Sequence, residues 1–382
     1  MCGEVVLAAW SLAGLAWWII AWRLVRADHR AKASASGFLS APPRPLSIFK
    51  TLPPLHARDF GDFAPGLESF LAQLDPASEM LLGAHEEDRA TVAPFVAAMG
   101  EKYPKAHLRV VFRPGPDSVA HPKIAGLMEL ASLANGELWF WSDADIIAPP
   151  GFLATAQSEI ARAGAGMVTF PYVALRSKGA GTLFEALFVN VEFYPGVLLL
   201  RRCGPVDFGF GAGMIFEREA FLRNVNWTDL GSFLADDFQL GQRLRPVQIS
   251  MARLETIAPA RTWSAALGHD LRWNKTIRWN RPGGYFARIL ILPVAGWLLA
   301  AGLHPGNPFA WAGLIGMIQA DVVAASAICR GVGCKITMKD GLNLQFWGLW
   351  RVAVWILSWL PGPVTWSGRI WHGPRAEMAK SA

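Results

Sequence analysis

Charge is what this chain of 382 residues has little of: Asp, Glu, Lys and Arg make up 17% of it, against 52% hydrophobic residues. With 18 tryptophans besides, the chain is too apolar for an ordinary soluble enzyme, and the balance points to a membrane. Cysteine is also scarce. Cys2, Cys203, Cys329 and Cys334 have neither metal-ligand nor disulfide spacing, which implies a reduced compartment. No internal repeat is visible. The basic residues are scattered or sit beside apolar runs, so the net charge of +6 suits anionic lipid or a phosphorylated ligand and argues against nucleic acid. The length leaves room for one large or two moderate domains.

Long apolar runs are what the chain does have. Val5 to Trp22 carries no charge and is followed by Arg23, Arg26, Arg30 and Lys32. A cleaved leader would carry its charge ahead of the apolar run, so residues 1–30 are expected to be an uncleaved anchor with the basic side in the cytosol. Ile289–Leu303, Pro308–Cys329 and Leu342–Leu360 are the later runs, with Arg330, Lys335 and Lys339 between the last two. Positive-inside counting predicts spans at about 5–22, 287–303 and 308–329. A fourth full span at Leu342–Leu360 would leave Arg369, Arg375 and Lys380 outside. Because Arg351 lies in its middle, that segment is expected to be re-entrant or interfacial. Asp321, inside the third run, is costly in lipid and is expected to face protein, headgroups or an acceptor path, unless it merely lies near the span's end.

Between anchor and later runs, Ala31–Pro45 reads as a linker. Strands are expected at Leu46–Leu52, Met80–Ala84, Leu108–Phe112, Leu138–Trp141 and Gly166–Leu175, and helices at Leu67–Leu74, Val92–Met99 and Pro122–Leu133. Such alternation predicts an α/β domain with a mostly parallel central sheet over residues 45–265. A linker over 31–44, an amphipathic segment over 266–285, a membrane region over 286–365 and a basic tail over 366–382 complete the expected organisation.

The residues with chemistry to offer fall at the ends of these elements. Leu138–Trp141 runs into Ser142-Asp143-Ala144-Asp145 and a turn at Pro149-Pro150. Ligands of open α/β sheets bind at the carboxyl ends of strands. Two carboxylates two residues apart repel there, and a hard divalent cation, Mg²⁺ or Mn²⁺, would relieve this and hold a diphosphate. A solvated acidic turn fits the same spacing. The strand at Met80–Ala84 ends likewise in His85-Glu86-Glu87-Asp88. Phe208–Met214, FGFGAGM, lets backbone approach a ligand but lacks the strand-then-helix context of a dinucleotide fingerprint. Leu234–Leu240 sets Asp236 beside Asp237 at the start of a helix. Neighbours there point about 100° apart, so one can face a site while the other caps the helix or meets solvent. Within His269-Asp270-Leu271-Arg272-Trp273 and the residues after it, Arg272, Lys275 and Arg278 interleave with Trp273 and Trp279, the pattern of an interfacial helix.

Taken in order, LLGAHEED, HPKI, SDAD, FPYVA, LADDF and HxxRW resemble the ceramide glucosyltransferase-like branch of inverting GT-A glycosyltransferases, over almost the whole chain to the VTWSGR tail. HDLRW and the IRxxRPGGY stretch after it are most similar to the bacterial hopanoid-biosynthesis-associated members. The resemblance implies a GT-A (nucleotide-diphospho-sugar transferase) domain in a multi-pass enzyme of the bacterial inner membrane, with the catalytic domain in the cytosol. Such an enzyme is a hexosyltransferase moving a sugar from a UDP-sugar to the hydroxyl of a membrane lipid. Donor and acceptor would be UDP-N-acetylglucosamine and a bacteriohopane polyol or, in the sphingolipid alternative, UDP-glucose and ceramide.

By motif position, the resemblance places Glu86 and Asp88 near uracil and ribose, with Arg89 where a second adjacent aspartate is usual. It places Lys123 near the nucleotide, and Asp143 and Asp145 on metal and diphosphate. Asp237 falls on the general base, with Asp236 where relatives carry Glu, and His269, Arg272 and Trp273 fill the Q/RxxRW motif. The chemistry asks for the same parts: charge neutralisation at the leaving diphosphate, and a base for the acceptor's proton. Two rivals use some of these residues. A processive polysaccharide synthase shares the three acidic motifs but needs more spans. A non-catalytic membrane-binding protein on a transferase fold would have no reason to retain nearly every acid.

Overall fold

The computed structural model of the chain describes residues 2–34, 43–55, 59–115, 117–177, 179–259 and 261–376. Most of the expected linker and Lys380 of the tail lie outside them. In chain order the strands are β1 (Leu46–Thr51), β2 (Glu79–His85), β3 (His107–Arg113), β4 (Leu138–Trp141), β5 (Ile146–Ile147), β6 (Met167–Thr169), β7 (Tyr172–Ser177), β8 (Met214–Glu217), β9 (Val247–Ile249), β10 (Leu254–Ala258), β11 (Val364–Trp366) and β12 (Arg369–Trp371).

Seven of them form one sheet in the order β3-β2-β1-β4-β8-β6-β9. Its pairings are parallel except where β8 meets β4 and β6. The expected α/β architecture with a mostly parallel sheet is therefore present. Alternation along β4 shows why its run is apolar throughout. Leu138 and Phe140 enter a core with Ile48, Leu82, Phe70 and Phe152, while Trp139 and Trp141 enter another with Phe49, Leu81, Ile124 and Phe216. A strand covered on both faces has no solvent side to mark with polar residues. Each such aromatic or aliphatic side chain contributes about 1.5–3 kcal/mol by leaving water.

Two elements depart from expectation. Gly166–Leu175 is not one strand: Phe170 and Pro171 separate β6 from β7, because proline has no N–H to donate to a ladder. Gly181–Cys203, unassigned from sequence, is helical through a π-turn at Phe188–Phe193 and is long and apolar enough to cross a membrane. The sheet excludes a single crossing there. β6 precedes the helix, β8 follows it, and the two are hydrogen-bonded neighbours, so the chain must return to the side it left.

The chain divides into an α/β unit, 36–173, 200–257 and 366–382, and a helical unit, 1–35, 174–199 and 258–365. In this division 366–376 group with the α/β unit and 174–199 with the helical unit. In the helical unit, Gly3–His29 and Pro308–Val332 are long and apolar enough to span. The pair Pro282–Ile291 and Pro293–Leu303, bent by 66°, would supply one more span if it acts as one.

Asp321 is 1% exposed and faces protein: it accepts from Trp18 Nε1 at 2.8 Å and pairs with Arg351 at 3.1 Å. Arg351 also pairs with Glu192, which Arg288 contacts from the other side. Each buried charge thus meets an opposite one, as charges held among apolar helices must if their desolvation is to be offset. Two residues of the basic stripe after His269 have partners within the helical unit. Lys275 is buried and donates to the Gly362 carbonyl at 3.0 Å, and Arg278 lies 5.3 Å over the Trp359 ring.

Candidate active site

The acidic turn follows β4 directly. Phe49 of β1 pairs with Trp141, and Ser142 N continues the ladder to the Phe49 carbonyl at 3.3 Å. Ala144 is buried, which leaves Asp143 and Asp145, on either side of it, both partly exposed. Sequence reasoning missed what holds the turn. Lys50 of β1 is fully buried, and its Nζ donates to Ser142 Oγ at 2.9 Å, the Asp143 carbonyl at 2.8 Å and the Ile146 carbonyl at 3.4 Å. Burial pulls its pKa down to about 7 against the opposing pull of Asp143 and Asp145. From the other side Gly66 comes so close that a Cβ there would sit 2.6 Å from the Ala144 carbonyl. A lysine inside the apolar strand LSIFKTL was the signal available in the sequence.

The glycine-rich stretch packs against acids. Gly211 accepts from Asp143 N at 3.1 Å through its carbonyl and donates its N–H to Asp237 Oδ2 at 3.0 Å. A Cβ at 211 would lie 3.2 Å from Asp143 Oδ2 and 3.4 Å from Lys123 Nζ. A side chain at 211 would oblige the Asp143 carboxylate and the Lys123 ammonium to give way by a few tenths of an ångström.

Lys123, one residue into the helix Pro122–Ala131, bridges the two acidic motifs: its Nζ lies 2.8 Å from Asp143 Oδ1 and 3.0 Å from Asp236 Oδ2. Burial alone would depress the lysine's pKa, but Asp143 and Asp236 raise it above its ordinary value, so it is a permanent cation. Burial works to raise Asp236 too, yet Lys123 above all holds it below the usual carboxylate range. Asp237 stands apart. Its oxygens accept from Phe238 N at 2.7 Å and Gly211 N at 3.0 Å, and burial, then the charge of Asp236, push its pKa up to about 6. Two adjacent carboxyls are thus driven in opposite directions, the pattern that separates a permanent charge from a group able to exchange a proton.

Of the remaining expected residues, Asp88 is buried and accepts from Leu55 N at 3.2 Å, bracing the segment after β1, whereas Glu86 is exposed and paired with Arg89. His269, Arg272 and Trp273 lie on the helix Trp263–Asn280 of the helical unit. There His269 Nε2 sits 3.7 Å from Glu185 Oε1, with its ring 4.6 Å from that of Trp273. The structure thus gathers Lys123, Asp143, Asp145, Asp236 and Asp237 in one unit and adds Lys50 and His121.

Among the described residues no group of three or more His, Cys, Asp or Glu could hold a metal ion by itself. Asp143 and Asp145 still fit a magnesium-type cation, which takes one or two carboxylates and completes its shell with water and substrate phosphate.

The profile of Glycosyl transferase family 21 matches residues 5–374. A search of curated proteins finds no match. Among solved structures, a mannosyltransferase from Pyrobaculum calidifontis in complex with GDP-Man and Mn²⁺ is 17% identical, with TM-score 0.45, covering 92% of this chain and 98% of that one. S. aureus TarS 1–349 in complex with UDP-GlcNAc is 11% identical, with TM-score 0.38, covering 82% and 90%.

Proposed function

Because the chain belongs to glycosyl transferase family 21, we propose that it moves a sugar from a UDP-sugar to a membrane-lipid hydroxyl in one inverting displacement. Its α/β unit is a nucleotide-diphospho-sugar transferase domain of the GT-A kind. The observation that carries the proposal is Lys123 joining Asp143 to Asp236, which sets the residues suited to a diphosphate beside the residues suited to a base.

In this reading Asp237 takes the proton from the acceptor hydroxyl as its oxygen bonds to the anomeric carbon. The bond from that carbon to the diphosphate breaks on the opposite face, and UDP leaves with the electron pair. A divalent cation held by Asp143 and Asp145 would neutralise the leaving diphosphate. Lys123 keeps Asp236 ionised, and Lys50 holds the turn carrying Asp143 and Asp145. Glu86 and Asp88 are assigned to uracil and ribose by motif, and the roles of His269, Arg272 and Trp273 rest on the motif alone.

The proposed donor and acceptor are UDP-N-acetylglucosamine and a bacteriohopane polyol, supported by HDLRW and the RPGGY stretch. Membranes carrying the protein are expected to glycosylate that polyol, read by mass spectrometry of extracted lipid. Turnover of ceramide with UDP-glucose and not of the hopanoid would overturn the acceptor while leaving the reaction. Absence of any UDP-sugar turnover or binding would overturn the reaction itself.

The proposed setting is the bacterial inner membrane with the α/β unit in the cytosol. That unit contains both 200–257 and 366–382, so the chain between them must cross an even number of times. Pro282–Leu303 and Pro308–Val332 would supply two crossings, leaving Asp340–Trp359 re-entrant or interfacial. A cysteine placed after residue 376 is then expected to be labelled only from the side on which the α/β unit is labelled. Labelling from the opposite side would sink this topology.

A further inference from the structure

The expected basic tail has structure of its own, which the proposed reaction leaves without a role. Trp366 lays its ring 4.4 Å from His121, and the buried Trp371 lies 6.0 Å from the same ring. Arg369 pairs with Asp117 at 3.1 Å, and Asp117 in turn pairs with Arg113 of β3. Farther along, the tail runs beside residues 229–234, which lead into the acidic pair. Pro374 O accepts from Leu234 N at 3.0 Å, and Ala376 N donates to Ser232 O at 2.7 Å. Arg375 reaches Asp229 at 2.9 Å and Ser232 Oγ at 3.0 Å.

His121 holds the other side of that segment. Its N–H donates to the Gly231 carbonyl at 3.0 Å, its Nδ1 accepts from Ile124 N at 3.4 Å, and its Nε2 lies 3.3 Å from the Leu234 carbonyl. With Nδ1 accepting, Nε2 carries the hydrogen and donates. Leu234, two residues before Asp236, is therefore pinned through its N–H by the tail and through its carbonyl by the histidine preceding the Lys123 helix.

We propose that residues 366–376 are a positioning strap for the active site: through Trp366 on His121 and Arg375 on the 229–234 segment, they set the register between Lys123 and the Asp236–Asp237 pair. The inference rests on the transferase reading above. It goes beyond that reading by making the far end of the chain part of the catalytic geometry. The strap touches none of the reacting groups. Its influence passes through two loops whose relative placement decides whether Lys123 meets Asp236 and how dry Asp237 is kept.

The test compares Trp366→Ala, Trp366→Phe and Arg375→Gln in full-length enzyme in detergent or nanodiscs. It reads kcat, KM for the UDP-sugar, the pH profile and the folded fraction. Trp366→Ala and Arg375→Gln are expected to lower kcat roughly 10- to 100-fold, the effect of a misplacement on the order of an ångström, with donor KM within a few fold. Asp236 on its own helix and Lys123 from the neighbouring helix act on Asp237 directly, while His121 acts on Asp236 and Asp143 on Lys123. Burial is the largest influence on its pKa, so loosening the strap is expected to move the acid limb of the profile to lower pH. Trp366→Phe, which keeps an aromatic face for His121, is expected to restore most of kcat.

Wild-type kcat and an unmoved limb in both weakened variants overturn the proposal. So does a loss of activity matched by loss of folded protein with the limb unmoved, which would make the tail merely structural. Should Trp366→Ala fail to fold, Arg375→Gln, at a more exposed position, decides the matter alone. An inactive wild-type enzyme would instead fail the transferase reading and is thereby told apart.

Discussion

Asp143→Asn is expected to lower sugar transfer by about 10³ or more, and EDTA is expected to abolish it until Mg²⁺ or Mn²⁺ is restored. The expectation follows from what surrounds the carboxylate. Asp143 and Asp145 are the partly exposed acids of the turn, and that turn is rigid because Lys50 holds two of its carbonyls and Ser142 from below. A rigid pair of hard oxygens can offer a cation two ligands without reorganising, and the leaving diphosphate supplies more. Asparagine keeps one neutral oxygen but removes the charge, and it leaves Lys123 balanced by Asp236 and Asp237. The substitution should therefore weaken Mn²⁺ binding in the presence of UDP, measurable by electron paramagnetic resonance without any turnover. Full activity in chelator, together with unchanged Mn²⁺ titrations for Asp143→Asn, would remove the metal from the mechanism.

The acidic turn was legible in the sequence because its signals are local: an apolar run, two carboxylates at alternate positions and a proline turn lie within a few residues of one another. The adjacent Asp236 and Asp237 were legible as a pair, and the structure supplies the asymmetry between them, which comes from Lys123 more than 100 residues earlier. Lys50 went unread because its meaning lies in carbonyls 93 and 96 residues away; a lysine in a strand looks like an edge or an error until its partners are visible. The partners of the tail went unread for a related reason: composition shows only a basic end, and its hydrogen bonds to Ser232 and Leu234 lie far back in the chain. Gly181–Cys203 shows how far composition reaches: by length and hydropathy it passes as a span, and the pairing of β6 with β8 excludes it.

Asp237→Asn should cut turnover by roughly 10²–10⁴, the range for loss of a general base, while leaving UDP-sugar affinity within a few fold. The wild-type acid limb should fall near the pKa of about 6 to which burial and Asp236 push this carboxyl, and the variant's residual activity should lack that limb. Asparagine is not a perfect mimic here. Both oxygens of Asp237 accept a backbone N–H, from Phe238 and Gly211, so an amide must turn its NH₂ toward one donor and lose about 1 kcal/mol. An opposing gain comes with the lost charge. Because the folded-state pKa is raised above the ordinary 3.8, ionised Asp237 disfavours folding. That cost is absent below the unfolded value and complete above about 6, so the variant's stability relative to wild type should improve as pH rises through this window. Asp236→Asn acts differently, stripping Lys123 of a partner and letting the pKa of Asp237 fall. It should shift the limb to lower pH and cost less turnover. The reverse order of losses, or an Asp237→Asn enzyme that fails only in nucleotide binding, would show the roles of the two aspartates to be exchanged.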